Sequence, residues 1–239
     1  MSLTTKIKGY IPNTITCLNL LSGAVACILS FQNPDTWNGS LSPAEWAFIA
    51  IGAAAVFDFL DGAMARALHA YSAIGKELDS LSDLVSFGLA PSLLMLNLMA
   101  RNSSGDWIGW PLCALFIVVM GALRLAKFNV DDRQTTSFIG LPIPANALFW
   151  IGFIAWTSRH GVPSTAPLVI IIAIVSLLMV SRLPLISLKF KNLSWRENFR
   201  RYAVIAATAI FLITDGVPGL MWSIIFYILI SVGGRRQQP

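Results

Sequence analysis

The sequence predicts an all-α polytopic integral membrane protein of about eight transmembrane helices, and three observations predict it. First, 56% of the 239 residues are hydrophobic and only 12% are charged, about half the charge of an ordinary soluble domain. Second, the apolar residues fall into about eight runs of membrane length or slightly less, a crossing needing roughly 20 residues. Third, when the runs are threaded back and forth with the N-terminus inside, all but Arg101 and Arg159 of the 17 lysines and arginines fall on the cytosolic side, as the positive-inside rule requires. Both termini are then cytosolic, and Trp37, Trp46, Trp107, Trp110 and Trp156 gather near the outer ends as an aromatic belt.

Taken in order, residues 1–11 carry Lys6 and Lys8 and suit a short interfacial helix, with Pro12 placed to begin the first span, which runs to Phe31. The N-terminal run lacks a small-residue cleavage site, so it reads as a retained helix and not a signal peptide. Asn13, Thr16 and Asn19 recur at every third position and form a polar stripe on the first helix. Such a stripe serves either helix-to-helix hydrogen bonding or a substrate wall.

After a loop rich in Pro, Gly, Asn and Ser, the second span runs from Ala44 to Leu68, and a link at His69–Ser72 leads to the third, Ala73 to Ala100. The fourth runs from Gly109 to Phe128, with Arg124 and Lys127 near its exit and Arg133 just beyond. The turn GLPIPAN opens the fifth, which ends at Trp156, and the sixth covers Pro167 to Val180. The basic stretch SRLPLISLKFKNLSWRENFRRY follows as a connection. A last pair, Ala203–Ile213 and Pro218–Val232 within residues 200–239, is split by Thr214, Asp215 and Gly216, which suit a tight hairpin. If that short pair is re-entrant, six spans remain with the same sidedness. No soluble domain of useful size lies between spans, so residues 1–239 read as one membrane-embedded domain. Cys17, Cys27 and Cys113 have no clip or disulfide spacing. The charge of +5 is spread over short loops, which argues against nucleic acid as a partner.

The chemistry concentrates between Asp58 and Asp83. An Asp at the centre of a membrane helix is disfavoured by roughly 2.5–3.5 kcal/mol on insertion scales, so four require a compensating partner. On a helix, Asp58, Asp61, Gly62, Ala65 and Arg66 share one sector of about 140°, and Gly75, Asp79, Ser82, Asp83 and Ser86 share another on the next helix. The two small residues leave room beside the acids for something bulky to approach the backbone. Carboxylates without nearby His or Cys favour Mg²⁺, Mn²⁺ or Ca²⁺ over zinc. Pairs of such ions clamp phosphoryl transfers, and Arg66 on the same face suits a phosphate oxygen. A salt-bridged structural network and a cation-translocation path are the competing readings of the same acids.

These residues resemble the signature of the CDP-alcohol phosphotransferase family, D-x-x-D-G-x-x-A-R, eight residues, then G-x-x-x-D-x-x-x-D. All fixed positions match: Asp58, Asp61, Gly62, Ala65, Arg66, Gly75, Asp79 and Asp83. IPNTITCLNLLSGAVA, DSLSDLVSFGLAPS, LRLAKFN, FIGLPIPANA and SLKFKNLSW are similar to the bacterial branch of the family that uses serine as acceptor. The resemblance implies a six-helix core plus two helices and a homodimer in the bacterial inner membrane, and the positive-inside threading puts the acidic stretch at the cytosolic face. It further implies transfer of a phosphatidyl group from CDP-diacylglycerol to L-serine with release of CMP. Glycerol 3-phosphate or an inositol phosphate would be the alternative acceptors. By the same resemblance Asp58, Asp61, Asp79 and Asp83 would hold two divalent cations, Mg²⁺ or Mn²⁺, with Ca²⁺ able to replace them in a crystal. Gly62, Ala65, Arg66 and Gly75 would shape the CDP pocket, with Asn13 and Thr16 beside it. Asp83, next to Asp79, would be the general base or would only orient the nucleophile. Arg124, Lys127 and Arg133 would bind serine carboxylate or lipid phosphate, unless they are membrane anchors.

Overall fold

The computed structural model describes residues 3–103, 109–130, 138–187 and 194–233. It is helical almost throughout. The helices are α1 (Leu3–Ser30), α2 (Pro43–Ala67), α3 (Ala73–Asp83), α4 (Ala90–Arg101), α5 (Phe116–Val130), α6 (Ile143–His160), α7 (Thr165–Val180), α8 (Trp195–Asp215) and α9 (Gly219–Gly233). Four helical runs are long and apolar enough to cross a membrane: Tyr10–Ser30, Pro43–Ala67, Ala73–Arg101 and Pro111–Val130. Helices α7 and α9 are equally apolar but shorter, at 16 and 15 residues.

Three boundaries differ from those the sequence predicts, each for a local reason. Helix α1 begins at Leu3 and carries Pro12 inside it, where the ring costs one backbone hydrogen bond near the helix end and not in its packed middle. Tyr10 and Pro12 carbonyls accept hydrogen bonds from the Thr14 and Thr16 hydroxyls, at 2.9 and 3.0 Å. Helix α8 starts at Trp195, well before the expected Ala203, because the arginines and glutamate of that basic stretch are good helix formers. Asn198 Nδ2 donates to the Ser194 carbonyl at that helix's first turn, at 2.9 Å. Finally, the third rod is not one regular helix: Leu84–Leu89 forms a π-helical turn between α3 and α4.

That π turn has a sequence cause and a packing cause. Pro91 has no N–H for the Phe87 carbonyl, which loosens the regular ladder, and Ala90 N–H donates instead to Val85, five residues back. On one side Gly23 of α1 presses on the turn, so that a Cβ there would lie 2.6 Å from Ser86 Cα. On the other, Gly121 of α5 lies opposite Gly88, with 3.9 Å between its would-be Cβ and the Gly88 Cα. The Ser82 and Ser86 hydroxyls, both fully buried, donate to the Thr16 and Asn19 carbonyls at 3.2 and 3.0 Å. Three rods are thus held at backbone distance around the acidic stretch.

The remaining helices brace this centre. Helix α1 packs along α2, α5 along α7, and α9 against α6 and α8. Trp150, completely buried in α6, donates to Asn146 Oδ1 at 3.0 Å and anchors the apolar core. Two short strands, β1 (Phe138–Ile139) and β2 (Pro184–Leu185), pair antiparallel. They tie the entry to α6 to the segment that leaves α7. Helix α8 ends at Gly216, whose φ of 70° belongs to the left-handed region. The expected α8–α9 hairpin follows from that turn.

Candidate active site

Helices α2 and α3 bring their acidic faces together because the link between them is short and tightly turned. His69, at φ 50°, takes a conformation that few residues other than glycine adopt. Ala70 N–H closes onto the Ala65 carbonyl at 2.9 Å. Ser72 caps α3 by accepting from Gly75 N–H, also at 2.9 Å. As a result Asp58, Asp61 and Asp79 each offer a carboxylate oxygen within 4.8 Å of the others. Asp58 is also within hydrogen-bonding reach of Asp83, which stands outside that triple and accepts from Asn19 Nδ2 at 3.4 Å.

A cleft of about 370 Å³ opens beside the three acids. Asn13 and Thr16 of α1, Gly62, Ala65 and Arg66 of α2, and Gly75 of α3 all line it. The glycines act differently. A Cβ at Gly62 would meet nothing nearer than the Arg66 guanidinium at 3.4 Å, so that position leaves open space against the backbone. A Cβ at Gly75 would sit 3.0 Å from Asn13 Oδ1, so that position allows α1 to approach α3.

Two contributors escape sequence reasoning. Lys76 reads from sequence as a cytosolic base or a salt-bridge partner of the acids, yet it lines the cleft, and its Nζ donates to the Asn129 carbonyl at 3.1 Å. Asn129 in turn donates to Ser80 Oγ at 2.9 Å, which ties the end of α5 to α3. Asn19 belongs to the polar stripe of the first helix, but its partner Asp83 is 64 positions away. The Thr16 and Asn19 carbonyls accept from the Ser82 hydroxyl of α3 and the Ser86 hydroxyl of the π turn, which is the helix-to-helix role suggested for the stripe, while Asn13 and Thr16 also line the cleft.

The three late bases do not act as one group. Arg124 is buried, with 9% of its surface exposed, and lies within electrostatic reach of Asp83. Lys127 is exposed, and Arg133 lies outside the described residues.

The acid cluster suits a divalent cation on its own chemistry. Asp61 is buried, and its Oδ2 has no hydrogen-bond partner among the described residues. Nor does any described base form an ion pair with Asp58, Asp61 or Asp79, the Arg159–Asp215 pair at the opposite end of the molecule being of another kind. Converging hard oxygens without a counter-base match Mg²⁺ or Mn²⁺. The purely structural salt-bridge network therefore has no support among the described residues.

A membrane-length helical scaffold with clustered carboxylates, beside a cleft that Arg66 and Lys76 line, suits a phosphate-transferring enzyme. Three curated relatives carry the name CDP-diacylglycerol–serine O-phosphatidyltransferase. One from Mycobacterium leprae (strain TN) is 32% identical over 188 residues, which is 73% of this chain and 57% of its own length. Another from Methanocaldococcus jannaschii is 34% identical over 171 residues, 72% of this chain and 71% of its own. The third, from Bacillus subtilis (strain 168), is 40% identical over 137 residues, 57% of this chain and 70% of its own. The match thus spans little more than half of the Mycobacterium leprae protein. The family description CDP-alcohol phosphatidyltransferase matches residues 9–190. The chain belongs to the CDP-alcohol phosphatidyltransferase family.

Proposed function

We propose that this chain transfers the phosphatidyl group of CDP-diacylglycerol to the hydroxyl of L-serine, producing phosphatidylserine and CMP. The observation that carries the reading is the convergence of Asp58, Asp61 and Asp79 within 4.8 Å, beside a cleft walled by Arg66 and Lys76. The printed names of the relatives support serine as the acceptor.

Asp58, Asp61 and Asp79, with Asp83 beside them, would hold two divalent cations, Mg²⁺ or Mn²⁺. Bound there, such ions neutralise the diphosphate and stabilise charge on the departing phosphate. The open backbone at Gly62 and Ala65 admits the nucleotide phosphates, and Arg66 pairs with their oxygens. Asn13, Thr16 and Gly75 complete the cleft wall. Asp83, held by Asn19, takes the proton of the serine hydroxyl. The serine oxygen then bonds to the phosphorus that bears diacylglycerol, the bond from that phosphorus to the CMP oxygen breaks, and CMP leaves with the electron pair. Arg124, in electrostatic reach of Asp83, receives the serine carboxylate.

In the same reading eight helices cross a bacterial inner membrane, with both termini and the site cytosolic, and the protein is a homodimer. Arg66, Lys76 and Lys127 all lie at the helix ends nearest the acids, which supports that sidedness. Helices α7 and α9 are about 24 and 22 Å long at 1.5 Å per residue, so their flanking turns complete the crossing.

A transfer assay tests the acceptor. Purified protein, labelled CDP-diacylglycerol and Mn²⁺ are incubated with L-serine, glycerol 3-phosphate or an inositol phosphate in turn. CMP release with serine alone is the expected result. Release with another alcohol and not with serine would overturn the acceptor, and release with none would overturn the activity.

A further inference from the structure

Lys76 lines the cleft from α3, between Gly75 and Asp79, but is not one of the fixed positions of the acidic motif. Its side chain is exposed. Asp79 follows three residues on along the same helix, a spacing at which opposite charges meet, yet among the described residues Lys76 forms no ion pair. Its ammonium group has three N–H donors and gives one of them to the Asn129 carbonyl, at 3.1 Å.

That carbonyl belongs to the last turn of α5, where carbonyls lack a helical partner. The bond is to a neutral acceptor at an exposed position, so water can replace it at little cost. A second tie joins the same helices without the Lys76 amine. Asn129 Nδ2 donates to Ser80 Oγ at 2.9 Å, and Ser80 Oγ donates to the Lys76 carbonyl at 3.2 Å. The amine is therefore free to turn to another partner while the end of α5 stays on α3.

We infer that Lys76 binds the diphosphate of CDP-diacylglycerol, leaving the Asn129 carbonyl when that substrate enters the cleft. The inference rests on the phosphatidyl-transfer reading and adds to it a substrate-binding residue on α3. Arg66 and Lys76 come from the two helices that supply the acids, and both line the cleft with Gly62, where a Cβ would find open space against the backbone. Two divalent cations would balance Asp58, Asp61, Asp79 and Asp83, which leaves the two negative charges of the diphosphate to Arg66 and Lys76. The carboxylate of serine offers similar anionic oxygens, and the two ligands are separable by measurement.

The test is Lys76→Met in the full chain with Mn²⁺, with CDP affinity read by calorimetry beside the transfer kinetics in reconstituted lipid. Kd for CDP and KM for CDP-diacylglycerol are both expected to rise about tenfold, the scale of one lost charge-assisted hydrogen bond. KM for L-serine should stay within about twofold, and Lys76→Arg, which keeps the charge, should hold Kd for CDP within about threefold. A CDP affinity that Lys76→Met leaves within twofold overturns the inference, and so does a rise confined to the serine KM, which would give Lys76 to the acceptor carboxylate. Ser80→Ala cuts the other tie between α3 and α5, and it should leave CDP affinity within about twofold. An equal loss in that variant would show that Lys76 acts only by holding α5, which also overturns the inference. The unaltered protein is assayed first: failure to release CMP from CDP-diacylglycerol would overturn the phosphatidyl-transfer reading itself, whereas CDP affinity is read without turnover.

Discussion

Asp61→Asn should abolish transfer, lowering kcat at least ~1,000-fold, because the substitution keeps the shape of the side chain and removes the charge on which the site depends. Asp61 is the most buried acid of the triple, with 6% of its surface exposed and Oδ2 without a partner among the described residues. Ionised carboxylates whose oxygens lie within 4.8 Å of one another repel by at least about 3 kcal/mol per pair at an effective dielectric constant of ~20. Removing one charge therefore has opposite effects on stability and on activity. In the presence of a chelator the variant should melt a few degrees higher than the unaltered protein, by roughly 2–4 °C per kcal/mol relieved. Binding of Mn²⁺, followed by its electron paramagnetic resonance signal, should weaken by at least about tenfold. Near-normal turnover, or Mn²⁺ binding unchanged, would remove Asp61 from the site. A lower melting temperature under chelation would show that its charge is already satisfied by the protein.

Arg124→Gln should reduce kcat/KM for L-serine about 100-fold or more, since a buried charge-assisted pair that loses one partner costs ~3–5 kcal/mol. The discriminating comparison is L-serinamide, which keeps the hydroxyl and lacks the carboxylate. The unaltered protein should strongly prefer serine, and the variant should treat the two nearly alike. An equal loss with both acceptors would assign Arg124 to packing or to the lipid phosphate. The pair of assays separates recognition of the acceptor from the chemistry carried by the acids, because Arg124 is not among the residues lining the cleft that Arg66 and Lys76 wall.

The acidic motif is legible in the amino-acid sequence because its spacing is local. Asp58, Asp61, Gly62, Ala65 and Arg66 share a face by helical geometry alone, and so do Gly75 and Asp79. What the spacing does not show is that Asp83, though in reach of Asp58, lies outside the cluster of three and meets Asn19 of another helix. The π turn at Leu84–Leu89 is equally hidden. Gly88 and Pro91 suggest a kink, but the turn is shaped by close approach of Gly23 and Gly121, which lie far off in the chain. Helix ends are least legible where charge and hydropathy disagree. The start of α8 looks like a basic loop and is helix, and Pro12 looks like a helix start and lies within one.

The central claim is that the serine hydroxyl oxygen becomes the new phosphoester oxygen of the lipid. L-Serine labelled with ¹⁸O at the hydroxyl, incubated with CDP-diacylglycerol, Mn²⁺ and the purified protein, tests this directly when lipid and nucleotide products are weighed by mass spectrometry. The label should appear in the phosphodiester of phosphatidylserine, in equal amount to the CMP released, with none in CMP. Release of CMP with unlabelled phosphatidic acid as the lipid product, or lipid that carries no ¹⁸O, would contradict transfer to serine.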